Sequence, residues 1–134
     1  MSGNRSRRKG QAGELAAQKE LQRFGAVYTR YYTAQQASAD GIPDFVVRDP
    51  FSTRSTSLEV KSAARLEIPA WIAQAAYQSR GSNGIWSLLI RRTQDPAWYV
   101  LSRLDQLHQN ARCLTPYSNY VLETAKHLEG ESGH

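Results

Sequence analysis

Pro43-Asp44-Phe45-Val46-Val47, and then, after 14 residues between Asp44 and Glu59, Glu59-Val60-Lys61, decide how this chain is read. Phe45-Val46-Val47 is a short aromatic and β-branched run, the composition of a strand. From Ser57 to Ser62, apolar Leu58 and Val60 alternate with polar Glu59 and Lys61, so the two pairs face opposite sides of a second strand. Residues 49–56 between them carry Pro50 and several Ser and Thr and read as a turn. If the two strands are neighbours, Asp44, Glu59 and Lys61 meet at one edge of a sheet. Two carboxylates brought together on an apolar scaffold repel each other and lose hydration, and a divalent cation relieves both costs. Mg²⁺ suits such a pair, because it takes oxygen ligands and keeps several waters. It lowers the pKa of one such water and stabilises charge on a phosphate, while Lys61 adds a positive charge beside it. That set suffices for phosphodiester hydrolysis. The plainer alternative is a solvated hairpin with a cross-strand ion pair.

Working outward, residues 10–24 read as a helix with Ala17, Leu21 and Phe24 at helical spacing and Gly25 as its stop. Glu14 falls on that apolar stripe, where a carboxylate must be paired or must line a site, unless it sits at the stripe's edge near the helix end and reaches water. Residues 26–33 read as a strand. The loop from Gln35 to Pro43 leads into Asp44, with Gly41 permitting unusual backbone angles, Pro43 fixing the approach, and Asp40 as a rival acid outside the strand. Pro69 opens a second helix with Ile72, Ala75 and Ala76 as its stripe, and Gln74 shares a face with Trp71 and Tyr77, placed to orient a water or touch DNA. Gly81 to Gly84 is a loop, Ile85–Ile90 a buried strand and Ala97–Leu101 a further strand. Ser102 with Asp105 resembles a capping box for a helix through Leu104 and Leu107. Val121, Leu122, Ala125 and Leu128 fit an amphipathic helix, with Tyr117–Leu122 as an alternative strand. The order α-β-β-β-α-β-β-α implies a mixed sheet packed against helices.

Composition narrows the function classes. With 134 residues, 40% hydrophobic and 22% charged, the chain suits one globular domain, expected over 10–128, between a flexible basic arm (1–9) and a flexible tail (129–134). Its mean hydropathy is −0.59. No apolar run approaches the roughly 20 residues that span a bilayer, and no apolar segment follows the charged start. A single cysteine, Cys113, forms no internal disulfide and reads as a buried structural thiol; the expected location is the cytoplasm. The net charge is +5, and Arg5, Arg7, Arg8 and Lys9 precede the first acid, which suits a polyanion. His108, His127 and His134 are scattered, so zinc is not expected. No phosphate-binding Gly-x-x-x-x-Gly-Lys-[Ser/Thr] loop is present, so no nucleotide cofactor is expected.

Glu14, Gly41-Ile42-Pro43-Asp44 and Glu59-Val60-Lys61, in the order α-β-β-β-α-β, resemble the PD-(D/E)XK nuclease superfamily. Arg7-Arg8-Lys9-Gly10 before Glu14, with a Ser-containing loop before Pro43-Asp44, is similar to the archaeal and phage Holliday junction resolvases within it. The similarity runs from about Arg7 to Asp105. It implies an α/β, restriction-endonuclease-like αβββαβ core with a central mixed sheet flanked by helices. It implies a homodimer that cuts four-way DNA junctions with Mg²⁺, for which Mn²⁺ substitutes. By position, Asp44, Glu59 and the Val60 carbonyl match the metal ligands, Lys61 the catalytic lysine, and Glu14 the helix-borne acid near the metal. Ser38 matches a loop serine near the scissile phosphate. Arg8, Lys9 and Arg30 match residues that hold the DNA backbone, to which Arg5, Arg7 and Gln74 are added from charge and position. Gln74 and Tyr77 are three apart rather than four, which departs from the RecB-type Gln-Tyr motif. A restriction- or repair-type endonuclease of the same superfamily, or a non-catalytic basic DNA-binding protein, are the alternatives. Trp71, Ile72, Ile85, Trp86 and Trp98 are core or dimer-interface candidates.

Overall fold

In the computed structural model the first helix, α1 (Ser2–Arg23), is followed by three strands, β1 (Val27–Arg30), β2 (Phe45–Arg48) and β3 (Ser55–Ala63), then helix α2 (Ile68–Tyr77). Strands β4 (Trp86–Arg92) and β5 (Tyr99–Leu101) and helix α3 (Leu107–Leu114) complete it, with 3-10 turns at Arg80–Ser82 and Leu104–Gln106. The structure describes residues 2–31 and 41–117, with the side chains of α1 from Ala12 onward. The side chains of Arg5, Arg7, Arg8 and Lys9, all of Ser38 and Asp40, and the expected C-terminal helix and tail therefore lie outside the described residues.

The five strands lie in sequence order across one sheet. β1, β2 and β3 pair antiparallel, β3 and β4 parallel, β4 and β5 antiparallel. A parallel pair needs a long crossover, and α2 supplies it. The β2–β3 connection is short because Asp49 folds it: its carboxylate accepts from the Phe51 N–H at 2.9 Å and from the Ser52 hydroxyl at 3.0 Å. Arg112 Nε of α3 also donates to Asp49, at 3.1 Å. Burial works to raise the Asp49 pKa, but these three donors together hold it below the usual carboxylate value.

Each face of the sheet has its own core. Ala17 and Leu21 of α1 and Cys113 and Leu114 of α3 pack with Phe45, Val47, Leu58, Val60 and Leu89 on one side. Trp71 and Ala75 of α2 pack with Trp86, Leu88 and Ile90 on the other. Interior strand β4 is buried from Trp86 through Ile90, as a strand covered on both faces must be. Cys113 is a free, buried thiol with its pKa pushed up to about 12, by burial first and by the charge of Asp49 second. Trp71 and Trp86 are core residues, whereas Ile72, Ile85 and Trp98 are half-buried.

Three expectations change. The apolar stripe marks only residues 10–24, but α1 begins at Ser2, so residues 2–9 belong to the helix rather than to a separate arm. No proline or β-branched residue interrupts that stretch, and its Arg and Lys are good helix formers. The capping box does not form: neither the Leu104–Gln106 turn nor α3 has a side-chain cap. Ser102 Oγ instead accepts from Asn110 Nδ2 and donates to the Arg103 carbonyl, and Asp105 pairs with Arg103. Phe24 leaves the stripe and is exposed where α1 ends.

Candidate active site

The antiparallel ladder between β2 and β3 stops at Phe45 opposite Leu58. Beyond it β3 runs on through Ala63, paired only with β4. Asp44, one residue before β2, fills the gap: its Oδ2 accepts from the Val60 N–H at 2.8 Å, replacing the missing strand with a carboxylate. The carbonyl of a strand residue points to the same edge as its N–H. The Val60 carbonyl therefore also faces this opening, beside Asp44. Gly41, at φ +87°, turns the chain into this approach, a conformation that disfavours any residue with a Cβ. The Tyr31 N–H donates to the Asp44 carbonyl at 2.9 Å and ties the approach to the end of β1.

Glu59 and Lys61 project from β3 on the face opposite Leu58 and Val60, as their alternation requires. Lys61 Nζ donates to Gln74 Oε1 of α2 at 2.7 Å and lies 3.9 Å from Glu59 Oε2. Glu14 arrives from α1, which approaches β3 closely because residue 13 is glycine: a Cβ there would lie 3.0 Å from Ser62 Cβ. The carboxylate on the apolar stripe of α1 is both paired and turned to a site. Arg30 Nη2 reaches Glu14 Oε2 at 3.4 Å, and Arg30 Nη1 donates to Gln18 Oε1 at 2.7 Å. Together Gly13, Glu14, Asp44, Glu59, Lys61, Trp71 and Gln74 line one open cleft of about 620 Å³.

The electrostatics follow from crowding acids in a dry place. Burial, then the charge of Asp44, pushes the Glu59 pKa up to about 8, with Lys61 acting against the shift. Glu14 is pushed up to about 7 by burial and by Asp44, with Arg30 opposing. Burial also raises Asp44, against the Val60 N–H and nearby cations. Glu59 is only 3% exposed, and its Oε1 has no hydrogen-bond partner. A buried carboxylate oxygen without a donor wants either a proton or a cation. Among the described residues, no three His, Cys, Asp or Glu side chains are gathered closely enough to enclose an ion by themselves.

Asp44, Glu59, Lys61, Glu14, Val60 and Gln74, named from the sequence, thus meet at one opening. Arg30, expected at the DNA backbone, is not among the residues that line it; its side chain is 11% exposed and engaged with Glu14 and Gln18. Compared with solved structures, the chain is similar to Hjc of Archaeoglobus fulgidus, a Holliday junction resolvase from an archaeal hyperthermophile. The TM-score is 0.50 at 18% identity, over 66% of this chain and 72% of that one. The fold is α/β and nuclease-like. No family model matches the sequence, and no curated protein does.

On this nuclease-like scaffold some neighbours of the cleft had no signature of their own. Gln18 sits one helical turn after Glu14, a spacing that could have marked it as a partner on the same face. Ser62 lines the cleft and accepts from Arg91 Nε and Nη2 at 3.4 and 3.3 Å, while the Arg91 guanidinium lies 4.5 Å over Trp98. Nothing local to Ser62 marks that arrangement; it depends on the register that sets Ser62 against Arg91. Glu67, just before α2, also lines the cleft.

Proposed function

We propose that this protein is a Mg²⁺-dependent DNA endonuclease that nicks branched DNA, with the four-way junction as its substrate. The observation that carries the reading is the convergence of Asp44, Glu59 and Lys61 where β3 outruns β2. The likeness of fold to a Holliday junction resolvase supports the branched substrate.

The donor set fits the ion. Two carboxylates and the Val60 carbonyl are hard oxygen ligands on one side, with Glu59 Oε1 lacking any other partner. Mg²⁺ characteristically takes one or two carboxylates and completes its octahedron with water, so a set of three enclosing acids is not required. When bound it would supply Lewis acidity beside the scissile phosphate. The protein's own groups do the rest. Lys61 holds a fixed positive charge at the cleft where negative charge builds up during hydrolysis. Glu14 closes the α1 side of the opening, its carboxylate held by Arg30. Arg5, Arg7, Arg8 and Lys9 lie on the same helix as Glu14, within about 14 Å of rise along its axis. In this reading the basic run holds the DNA backbone leading away from the site, and Ser38 acts near the scissile phosphate. A junction presents two symmetric strands, and a two-fold homodimer would bring one such site to each.

The test is cleavage of end-labelled four-way junction, fork and linear duplex of the same sequences, with and without Mg²⁺, beside Glu59→Ala. The expected result is paired, symmetric nicks in the junction, only with Mg²⁺ and only in the wild type. Cutting of linear duplex at a short sequence would instead identify a restriction-type endonuclease. Binding to DNA without any cleavage would leave a basic DNA-binding protein.

A further inference from the structure

Lys61 has two acceptors in reach, and the weaker one wins. Gln74 Oε1 lies 2.7 Å from the ammonium and the Glu59 carboxylate 3.9 Å from it. An ammonium ion can only donate, so the Gln74 atom facing it is the carbonyl oxygen, and the amide N–H₂ turns away. A carboxylate is ordinarily the stronger partner, closing on an ammonium at about 2.7–2.9 Å. The separation here is a matter of placement. Trp71 and Ala75 seat α2 on Trp86, Leu88 and Ile90, and this fixes residue 74 over the end of the Lys61 side chain. Glu59 is left nearly sealed from solvent, with Oε1 lacking any hydrogen-bond partner.

We propose that Gln74 is a positioning residue that holds Lys61 off Glu59, and so keeps the Glu59 carboxylate open to a divalent cation. The inference rests on the metal-dependent reading above and gives Gln74 a task other than touching DNA. A leucine at position 74 cannot accept a hydrogen bond, so the ammonium swings to Glu59 and competes with the cation for it. A glutamate keeps an acceptor on α2 and so keeps Lys61 in place. Residue 74 is exposed on α2, so neither change disturbs the core.

Binding of Mn²⁺ to the full chain, followed by electron paramagnetic resonance in the absence of DNA, tests this for wild type, Gln74→Leu and Gln74→Glu. The Lys61 ammonium resonance, observed by ¹H–¹⁵N NMR and assigned with Lys61→Arg, is recorded alongside. The expected result is Mn²⁺ affinity weakened about tenfold or more in Gln74→Leu, the scale seen when the residue supporting a metal ligand is lost. The Lys61 resonance moves in Gln74→Leu, and in Gln74→Glu the affinity is at least that of the wild type. Unchanged Mn²⁺ affinity in Gln74→Leu, or an unmoved Lys61 resonance, overturns the proposal. A wild type that binds no Mn²⁺ overturns the metal-dependent reading itself, so the two failures are told apart.

Discussion

Glu59 and Glu14 hold their protons far above the range of an exposed carboxylate, and this has a measurable consequence. In the unfolded chain both ionise near 4.5, whereas in the folded protein they ionise near about 8 and about 7. Between those values the folded state binds more protons, so stability falls as pH rises. The contribution is complete below about 4.5 and is lost as the pH passes 7 and then 8. Thermal melts in chelator from pH 5 to pH 9 should therefore show a falling Tm, and Glu59→Gln, neutral at every pH, should flatten the upper part of that fall. Mg²⁺ should restore Tm more at pH 8 than at pH 5.5, because it then has fewer protons to displace. A Tm that rises across this range would contradict the burial of these acids. At this scale the sequence was most informative: strand alternation put Glu59 and Lys61 on one face, neighbouring strands would bring Asp44 to them, and Glu14 stood out as an acid on an apolar stripe. The engagement of Arg30 with Glu14 was not legible, because it depends on β1 and α1 lying side by side, and no local pattern in Val27–Arg30 specifies that.

Among the elements, the end of α1 shows how a backbone turn sets the site. Gly25 has φ +75°. The Ala26 N–H donates to the Leu21 carbonyl at 2.9 Å and the Gly25 N–H to the Gln22 carbonyl at 3.1 Å, the paired bonds of a Schellman stop. A Cβ at residue 25 would also lie 2.2 Å from the Tyr117 ring. Gly25→Ala should cost about 1–3 kcal/mol, from the left-handed backbone and from displacing that ring, read as a lower urea midpoint with unchanged slope. A cost below a few tenths would show that the turn tolerates a side chain. Gly13→Ala should act differently, pushing α1 away from Ser62 and Glu14 away from Asp44, so that cleavage falls by more than stability does. The stop at Gly25 was legible because glycine there has a specific backbone task. The capping box at Ser102 was misleading because Asn110, eight residues on, takes the hydroxyl in the folded chain. Short motifs fail where a distant side chain makes the better bond.

For the whole molecule, charge and topology divide the work. The alternation of helical and strand patterns was enough to order the elements and to require a mixed sheet. The parallel pairing of β3 with β4 was implied by the helix between them, but its register, which brings Ser62 to Arg91, is a property of the packed sheet. The +5 net charge, with a basic turn on the helix that carries Glu14, predicts backbone binding separable from chemistry. Arg8→Ala with Lys9→Ala should weaken junction binding and reduce the slope of log K against log salt by about 0.9 for each phosphate no longer neutralised. The position of the nicks should not move. An unchanged slope would remove this run from the DNA interface. Metal binding, DNA cleavage and the role of Lys61 all depend on one place, the gap beside β3 where Asp44 meets Val60. Anomalous scattering from crystals soaked in Mn²⁺ locates the ion directly. A peak within coordination distance of the Asp44 and Glu59 carboxylates and the Val60 carbonyl, absent in Glu59→Gln, is the result predicted. A peak elsewhere, or an empty gap at saturating Mn²⁺, would contradict it.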